Sequence, residues 1–142
     1  MNTVNRPKLT IINKFYPPHS GVTGEFVYEL VTHLITEYDF DVKVVHTDSS
    51  YGKSITEKQV LSTSYVVKSI NIGKGTIGRL ISALWEGFRL IKKAKKINEG
   101  EPVIVLTDPP FIVFFAGLLF RKIDWVYWAM DLYPEAMYRQ GL

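Results

Sequence analysis

The chain has 142 residues, 46% of them apolar and 22% charged, with a net charge of +3. That length suits one domain, which at this size removes roughly 68% of its unfolded surface from water, and that balance excludes a disordered chain. There are no cysteines, which excludes disulfides and thiolate metal sites, and the mild charge alone argues for neither nucleic acid nor membrane.

Met1 to Lys8 is polar and lacks the apolar core of a signal peptide. The first strand is read over Lys8 to Asn13, where Leu9 to Ile12 suits a parallel strand buried on both faces. Asn13 to Glu25 follows as a loop carrying Pro17, Pro18, Gly21 and Gly24. Its prolines cannot continue a ladder or a helix. Its glycines let backbone approach a ligand, with Gly21 expected at the cleft and at positive φ. A first helix is expected to start near Thr23 as N-cap, with Glu25 in its first turn. Phe26, Val27, Leu30, Val31, Leu34, Ile35 and Tyr38 recur at helical spacing and form its apolar stripe.

Val42 to His46 reads as the second strand, and Thr47 to Ser64 as a polar loop without helical period. Tyr65 to Ile72 reads as a third strand whose direction stays open, since no helix precedes it. After a turn at Gly73-Lys74-Gly75, Ile77, Leu80, Ile81, Leu84, Phe88, Ile91 and Ala94 mark one face of a long second helix. That helix ends in Lys92, Lys93, Lys95 and Lys96, with Asn98 and Gly100 as stop signals. Pro102 to Leu106 is the fourth strand, Thr107-Asp108-Pro109-Pro110 a second proline-rich loop and Phe111 to Arg121 the third helix. The apolar run from Phe111 to Phe120 is shorter than the about 20 residues that span a bilayer, so it is expected as a buried helix. Asp124 to Ala129 is the fifth strand, followed by Met130 to Glu135 and the start of another helix.

Strands alternating with helices predict an α/β sandwich with a mainly parallel sheet and helices on both faces. In such a sheet the loops at the carboxyl ends of the strands share one crevice. These loops hold Lys14 to Gly24, Thr47-Asp48, Thr107 to Pro110 and Asp131 to Glu135. Taken singly, their prolines and glycines close turns and their aspartates cap helices; converging, they read as a ligand site. A dinucleotide fingerprint fits poorly. Gly21-Val22-Thr23-Gly24 supplies only G-x-x-G, and His19 stands at the first glycine's place, although Asp48 lies where a ribose-binding acid would. His19, His33 and His46 lack metal-ligand spacing; His33 reads as a surface residue, and His19 either donates to a phosphate or hydroxyl or is solvated. No serine sits in a nucleophile elbow and no acid pair can be placed by spacing. Tyr127 and Trp128 read as core packing, and the lysines ending the second helix as partners of its dipole or of anionic lipid.

Phe15-Tyr16-Pro17-Pro18-His19-Ser20-Gly21-Val22-Thr23-Gly24, followed by Tyr28-Glu29-Leu30, resembles the opening of family 4 glycosyltransferases. His46-Thr47-Asp48, Thr107-Asp108-Pro109-Pro110 and Trp128-Ala129-Met130-Asp131-Leu132-Tyr133-Pro134-Glu135 resemble the ends of their second, fourth and fifth strands. The last segment is that of polysaccharide and lipopolysaccharide members. The resemblance implies the GT-B fold, two Rossmann-like domains facing across a cleft. The N-terminal domain takes the acceptor, and the C-terminal domain holds the nucleotide-sugar and an E-x7-E motif. A chain ending at Leu142 is then expected to lack the second domain and to be inactive alone. Gly21 and Gly24 stand apart where many members have adjacent glycines, and Asp131 or a neighbour occupies the place of a histidine found in many relatives.

The expectation is a Rossmann-like three-layer sandwich forming the acceptor-side half of a retaining transferase of polysaccharide assembly. Asp131 is the catalytic candidate. His19, Ser20, Gly21, Thr23, Gly24, Thr107, Asp108, Asp131 and Glu135 are the candidates for binding acceptor or donor phosphate. No metal and no cofactor are expected in this domain; the whole enzyme would use a nucleotide-sugar donor and a glycan or lipid-linked acceptor, and no nucleic acid. It would work in the cytoplasm, in weak contact with the inner face of the membrane. The alternatives are a non-catalytic docking subunit of a split transferase and a nucleotide-cofactor domain.

Overall fold

The structure, a computed structural model, describes residues 6–19, 21–50, 58–73 and 75–130. Five strands and three helices alternate along it: β1 (Lys8–Ile12), α1 (Val22–Tyr38), β2 (Asp41–Thr47), β3 (Thr63–Val67), α2 (Thr76–Ile97), β4 (Val103–Leu106), α3 (Ile112–Leu119) and β5 (Trp125–Trp128). The strands form one sheet in the order β3-β2-β1-β4-β5, and every pairing is parallel. The third strand, whose direction periodicity left open, therefore runs with the others, in register from Lys43↔Thr63 to Thr47↔Val67. It starts and ends earlier than Tyr65 to Ile72, because residues 68–73 turn away to reach α2.

This is a Rossmann-like three-layer α/β sandwich. On one face α1 lays Val27 and Val31 against Leu9, Ile11, Val42 and Val44. On the other, α2 and α3 bury Leu90, Ile91, Ala94, Ile112 and Ala116 against Ile12, Val45, Val103 and Val105. The central strand alternates accordingly, with Leu9 and Ile11 toward one layer and Ile12 toward the other. From β1 the chain steps outward through β2 to β3, then crosses back along α2 to β4 on the far side of β1. That reversal places a topological switch point between β1 and β4, and in open parallel sheets the ligand crevice lies beyond the carboxyl ends of the strands there.

Two expectations about helices need correction. Thr23 does not cap α1: Gly21 occupies the N-cap in extended backbone, with no side-chain cap. The Thr23 hydroxyl instead accepts a 3.3 Å hydrogen bond from Asn13 Nδ2. The run Phe111 to Phe120 is not a wholly buried helix. α3 buries only Ile112 and Ala116 along its length, while Phe111, Phe114 and Leu118 are exposed, Phe114 by 66%. Eight residues make about two turns, and a helix that short on a sheet can hide only one stripe. At the β5 edge of the sheet, Tyr127 is packed against the core while Trp128 is partly exposed.

The opposite, amino-terminal edge of the sheet is closed by charge. Lys43 Nζ lies 3.0 Å from Glu101 Oε1 and 3.3 Å from Glu99, and Thr10 Oγ1 donates to Glu101 at 2.8 Å. Burial pushes the Glu101 carboxyl up, but the backbone N–H of Glu99 and its own, with Thr10 and Lys43, outweigh this and hold it down at about 2. A carboxyl depressed in the folded state stabilises above its unfolded value and loses that contribution as the pH falls through the folded one. Glu101→Gln is therefore expected to lose about 3 kcal/mol at neutral pH, since it removes the buried carboxylate beside Lys43 and leaves that ammonium only the exposed Glu99 as a charged partner. In thermal melts the gap between the two proteins should narrow from about pH 4.5 towards 2; a gap independent of pH would contradict the assignment.

Candidate functional site

The carboxyl ends of β1, β2 and β4 are stitched by backbone. Lys14 N–H donates to the Asp108 carbonyl at 3.0 Å, and the Lys14 carbonyl accepts both the Thr47 N–H at 3.0 Å and its hydroxyl at 2.8 Å. Asn13 N–H donates to Val45 O at 3.1 Å. Thr107 Oγ1 accepts the Met130 N–H at 2.7 Å and donates to Trp128 O at 3.2 Å, tying the ends of β4 and β5. The loops read from the sequence as one crevice thus meet at one edge as far as Met130. Asp131, Glu135 and Ser20 lie outside the described residues.

The remaining predicted residues divide into groups. Thr23 and Asp108 line a hollow of about 260 Å³ with Phe15 and Val22, between the two proline-rich loops. His19 faces the other way: its N–H donates to Tyr16 O at 2.9 Å and its ring lies 6.1 Å from that of His46. Thr107 is spent on the strand ends. Gly21 and Gly24 are packing positions. Gly21 has φ −179°, extended backbone open to any residue, so the expected positive φ is absent. What requires glycine is space, since a Cβ there would lie 2.5–2.9 Å from the Phe15 side chain. At Gly24 it would lie 3.0–3.1 Å from Phe15, mostly its backbone.

Beneath this loop the polar atoms are unusual. Asn13 is fully buried; its Nδ2 donates to Phe15 O at 2.7 Å, and its Oδ1 has no partner. His46 is fully buried as well. Its Nδ1 lies 2.8 Å from the Thr47 carbonyl, which can only accept, so Nδ1 carries the proton and Nε2 is a bare acceptor without a partner. Burial holds this imidazole below the usual histidine range. Tyr16 packs 5.4 Å from it, centroid to centroid, and its hydroxyl is 2.9 Å from Ser62 Oγ.

Next to the loop lies a cleft of about 530 Å³, lined by Lys14, Asn71, Arg79, Ser82 and Glu86. None of these was singled out from the sequence. Glu86 reaches it from α2 with 3% of its surface exposed. Its Oε2 is 3.0 Å from Lys14 Nζ, an ion pair, at an angle that makes no hydrogen bond. Among the described residues Arg79 has no acidic partner. Residues 70–73 form the outer wall. Ile72 N–H donates to Ser82 Oγ at 3.0 Å, and a Cβ at Gly78 would come within 2.8–3.1 Å of the Gly73 backbone. A signal for Glu86 did exist: it falls beside Ala83, Gly87 and Leu90 on the core-facing row of α2, where an acid is out of place unless paired. Asp48, the residue a dinucleotide reading would need on a ribose, accepts the Ser69 N–H at 2.6 Å.

The arrangement offers two cations, one of them ion-paired with Glu86, two unpartnered buried acceptor atoms on Asn13 and His46, and a shallow apolar hollow along one sheet edge. It can hold an anion beside a hydroxyl-rich group. Comparison with models of protein families, with characterised proteins and with solved structures found no match. The packing at Gly21 makes a direct test of the loop. Gly21→Ala is expected to cost about 1–3 kcal/mol of stability by forcing Phe15 aside, read as a lower melting temperature. An unchanged melt would mean that the loop yields freely.

Proposed function

We propose that the chain is the N-terminal, acceptor-side domain of a retaining family 4 glycosyltransferase. The observation that carries this reading is an asymmetry. Among the described residues the three buried side-chain atoms without a hydrogen-bond partner are Asn13 Oδ1, His46 Nε2 and Glu86 Oε2. All three belong to the carboxyl edge of the sheet or to the cleft there, Glu86 still ion-paired with Lys14, while the amino edge holds no such atom among the described residues. Buried polar atoms are nearly always satisfied, so exceptions gathered at one sheet edge, two beneath the loop and one in the cleft beside it, point to that edge as the place where a ligand's own donors belong. Acceptor atoms ask for hydroxyl donors, which a sugar supplies in number. Lys14 and Arg79 beside them suit a phosphate, as in a glycosyl diphosphate carried on a lipid.

The ordered motifs from Phe15 to Gly24, at His46-Thr47-Asp48 and at Thr107 to Pro110 support the family. Retaining transfer without a protein nucleophile depends on positioning the acceptor hydroxyl and on stabilising the leaving diphosphate. In this reading the chain supplies the first, and a partner domain holding the nucleotide-sugar supplies most of the second. The setting is polysaccharide assembly in the cytoplasm, where lipid-linked acceptors face inward. No helix among the described residues is long and apolar enough to cross a membrane.

The test is titration of the chain with a water-soluble glycosyl diphosphate, followed by NMR or calorimetry. Arg79→Ala is expected to weaken binding about tenfold, or about 1.4 kcal/mol, without changing the melting temperature. Tighter binding of NAD than of the glycosyl diphosphate, indifferent to Arg79→Ala, would overturn the reading in favour of a cofactor domain.

A further inference from the structure

β3 is an end strand of the sheet, and among the described residues no strand pairs with its outer side. Such an edge presents a row of open backbone N–H and carbonyl groups. The sequence Thr63-Ser64-Tyr65-Val66-Val67 holds no proline and no charged residue, the devices that keep an open edge from pairing. Thr63, Ser64 and Val66 are exposed.

A row of cations follows this edge. Past the carboxyl end of β3, Arg89 Nη1 donates to the Lys68 carbonyl at 2.9 Å. One helical turn on, Lys93 Nζ lies 5.3 Å from the centre of the Tyr65 ring, in the middle of the strand. At the amino end the Ile97 carbonyl accepts from Lys43, the residue opposite Thr63 in the ladder. α2 therefore runs antiparallel to β3 and carries Arg89, Lys93 and Lys96 along it at three- and four-residue steps. Between the end of β3 and α2 lies a hollow of about 510 Å³, lined by Lys68, Trp85, Phe88, Arg89, Lys92 and Lys93. Its two rings lie 5.8 Å apart, and Lys92 Nζ is 5.9 Å from the Phe88 ring centroid. Among the described residues none of its four cations has an acidic partner. Residues 68 to 96 hold eight of the chain's 17 Lys and Arg but one of its 14 Asp and Glu, and that acid, Glu86, is turned inward to Lys14. The helix dipole accounts for Lys95 and Lys96 in the last turn, but not for Lys68 or for Arg89 well before it. Like charges at Arg89 and Lys93, four residues apart, repel one another.

We propose that the β3 edge docks an extended acidic segment of a partner polypeptide, which joins the sheet as a further strand with carboxylates on Lys68, Arg89 and Lys93 and an apolar side chain against Trp85 and Phe88. The occupant follows from three features. Open backbone groups call for a ligand with its own row of N–H and carbonyl groups, which a polypeptide strand supplies. Unpaired cations call for carboxylates. The spacing suits an extended chain: every second side chain of a strand points to the same face, about 7 Å apart, and Arg89 and Lys93 are separated by about 6 Å of helix rise. A second copy of this chain would bring the same cations beside its own β3 edge and repel. The docked segment touches neither Lys14 nor Arg79, so the inference goes beyond the transferase reading and does not depend on it.

Titration of the 142-residue chain with end-capped synthetic peptides tests it, read by calorimetry and by the β3 amide signals in NMR. The probe has about seven residues, a usual strand length, with glutamate at alternate positions, one leucine in that row and threonine between. It is expected to bind one to one, to weaken as salt is added and to protect β3 amides from exchange. A version with lysine for glutamate should bind about tenfold more weakly or worse. So should a version N-methylated along its backbone, which keeps the charge but loses the donors of the added strand. Arg89→Gln with Lys93→Gln should weaken binding about tenfold, and Trp85→Ala about threefold. If the double variant melts early because the Lys68 carbonyl loses its donor, Lys92→Gln with Lys93→Gln keeps the test sharp. No binding at millimolar peptide, equal binding of the N-methylated version, or indifference to both pairs of substitutions would each overturn the proposal. Anionic vesicles that respond to those pairs while the peptide does not would assign the cations to lipid and overturn it as well. Because the readout needs no sugar, its failure leaves the glycosyl diphosphate titration to stand or fall separately.

Discussion

The carboxyl edge of this sheet depends on one peptide unit. Lys14 is the first residue past Asn13 at the end of β1, and its N–H and carbonyl reach opposite neighbours: Asp108 beyond β4 and Thr47 ending β2. Because β1 is the central strand and β4 lies across the switch point, this unit bridges the two halves where they would otherwise splay apart. The backbone groups are spent on holding the edge together, so the Lys14 side chain is left to the cleft, where it meets Glu86. Loop direction follows from the same clamp. Held at Lys14, the chain turns through Phe15 and Tyr16, and α1 must begin close enough for Gly21 and Gly24 to press on Phe15.

The two edges of the sheet solve the same electrostatic problem in opposite ways. At the amino edge Lys43, buried between β1 and β3, is satisfied by Glu101, Glu99 and the Ile97 carbonyl at 3.2 Å. Glu101 in turn collects donors from Thr10 and backbone. Burying an ion pair gains little by itself, yet a pair this well provided with hydrogen bonds is costly to break and fixes the register of β1 against β2. At the carboxyl edge comparable burial comes with acceptors left bare on Asn13 and His46, and with a Glu86 carboxylate that is ion-paired with Lys14 but has no hydrogen bond at Oε2. Unpaired acceptors cost folding energy, so the carboxyl edge is the less stabilised of the two.

Much of this was legible because it rests on local rules. An apolar run without alternation marked β1 as a parallel strand, the alternation of strands with helices marked the sheet as mainly parallel, and the Pro–Gly loops marked the edge where the strands end. What escaped depends on tertiary placement. Thr23 looks like a cap, but Asn13 claims it, because the buried end of β1 needs a partner more than the helix does. Gly21 looks like a residue kept small for a ligand, yet its neighbour is Phe15. Arg79, Ser82 and Asn71 carry no motif and become a cleft wall only when residues 70–73 fold back on α2. The apolar run of α3 promised burial, but periodicity does not say how much surface is available to bury it, and the half-covered α3 and α2 share the result.

α2 finally shows how one helix can serve two environments without a break in its pattern. A row turned inward needs small or apolar side chains only where the sheet lies beneath it, from Glu86 to Ala94. Before Glu86 the helix overhangs, and its inner side faces the cleft with Arg79, Ser82, Ala83 and Glu86. Its outer side carries Ile77, Ile81 and Trp85 at the opposite azimuth. The two sides are separated by the helix itself, about 10 Å across with side chains.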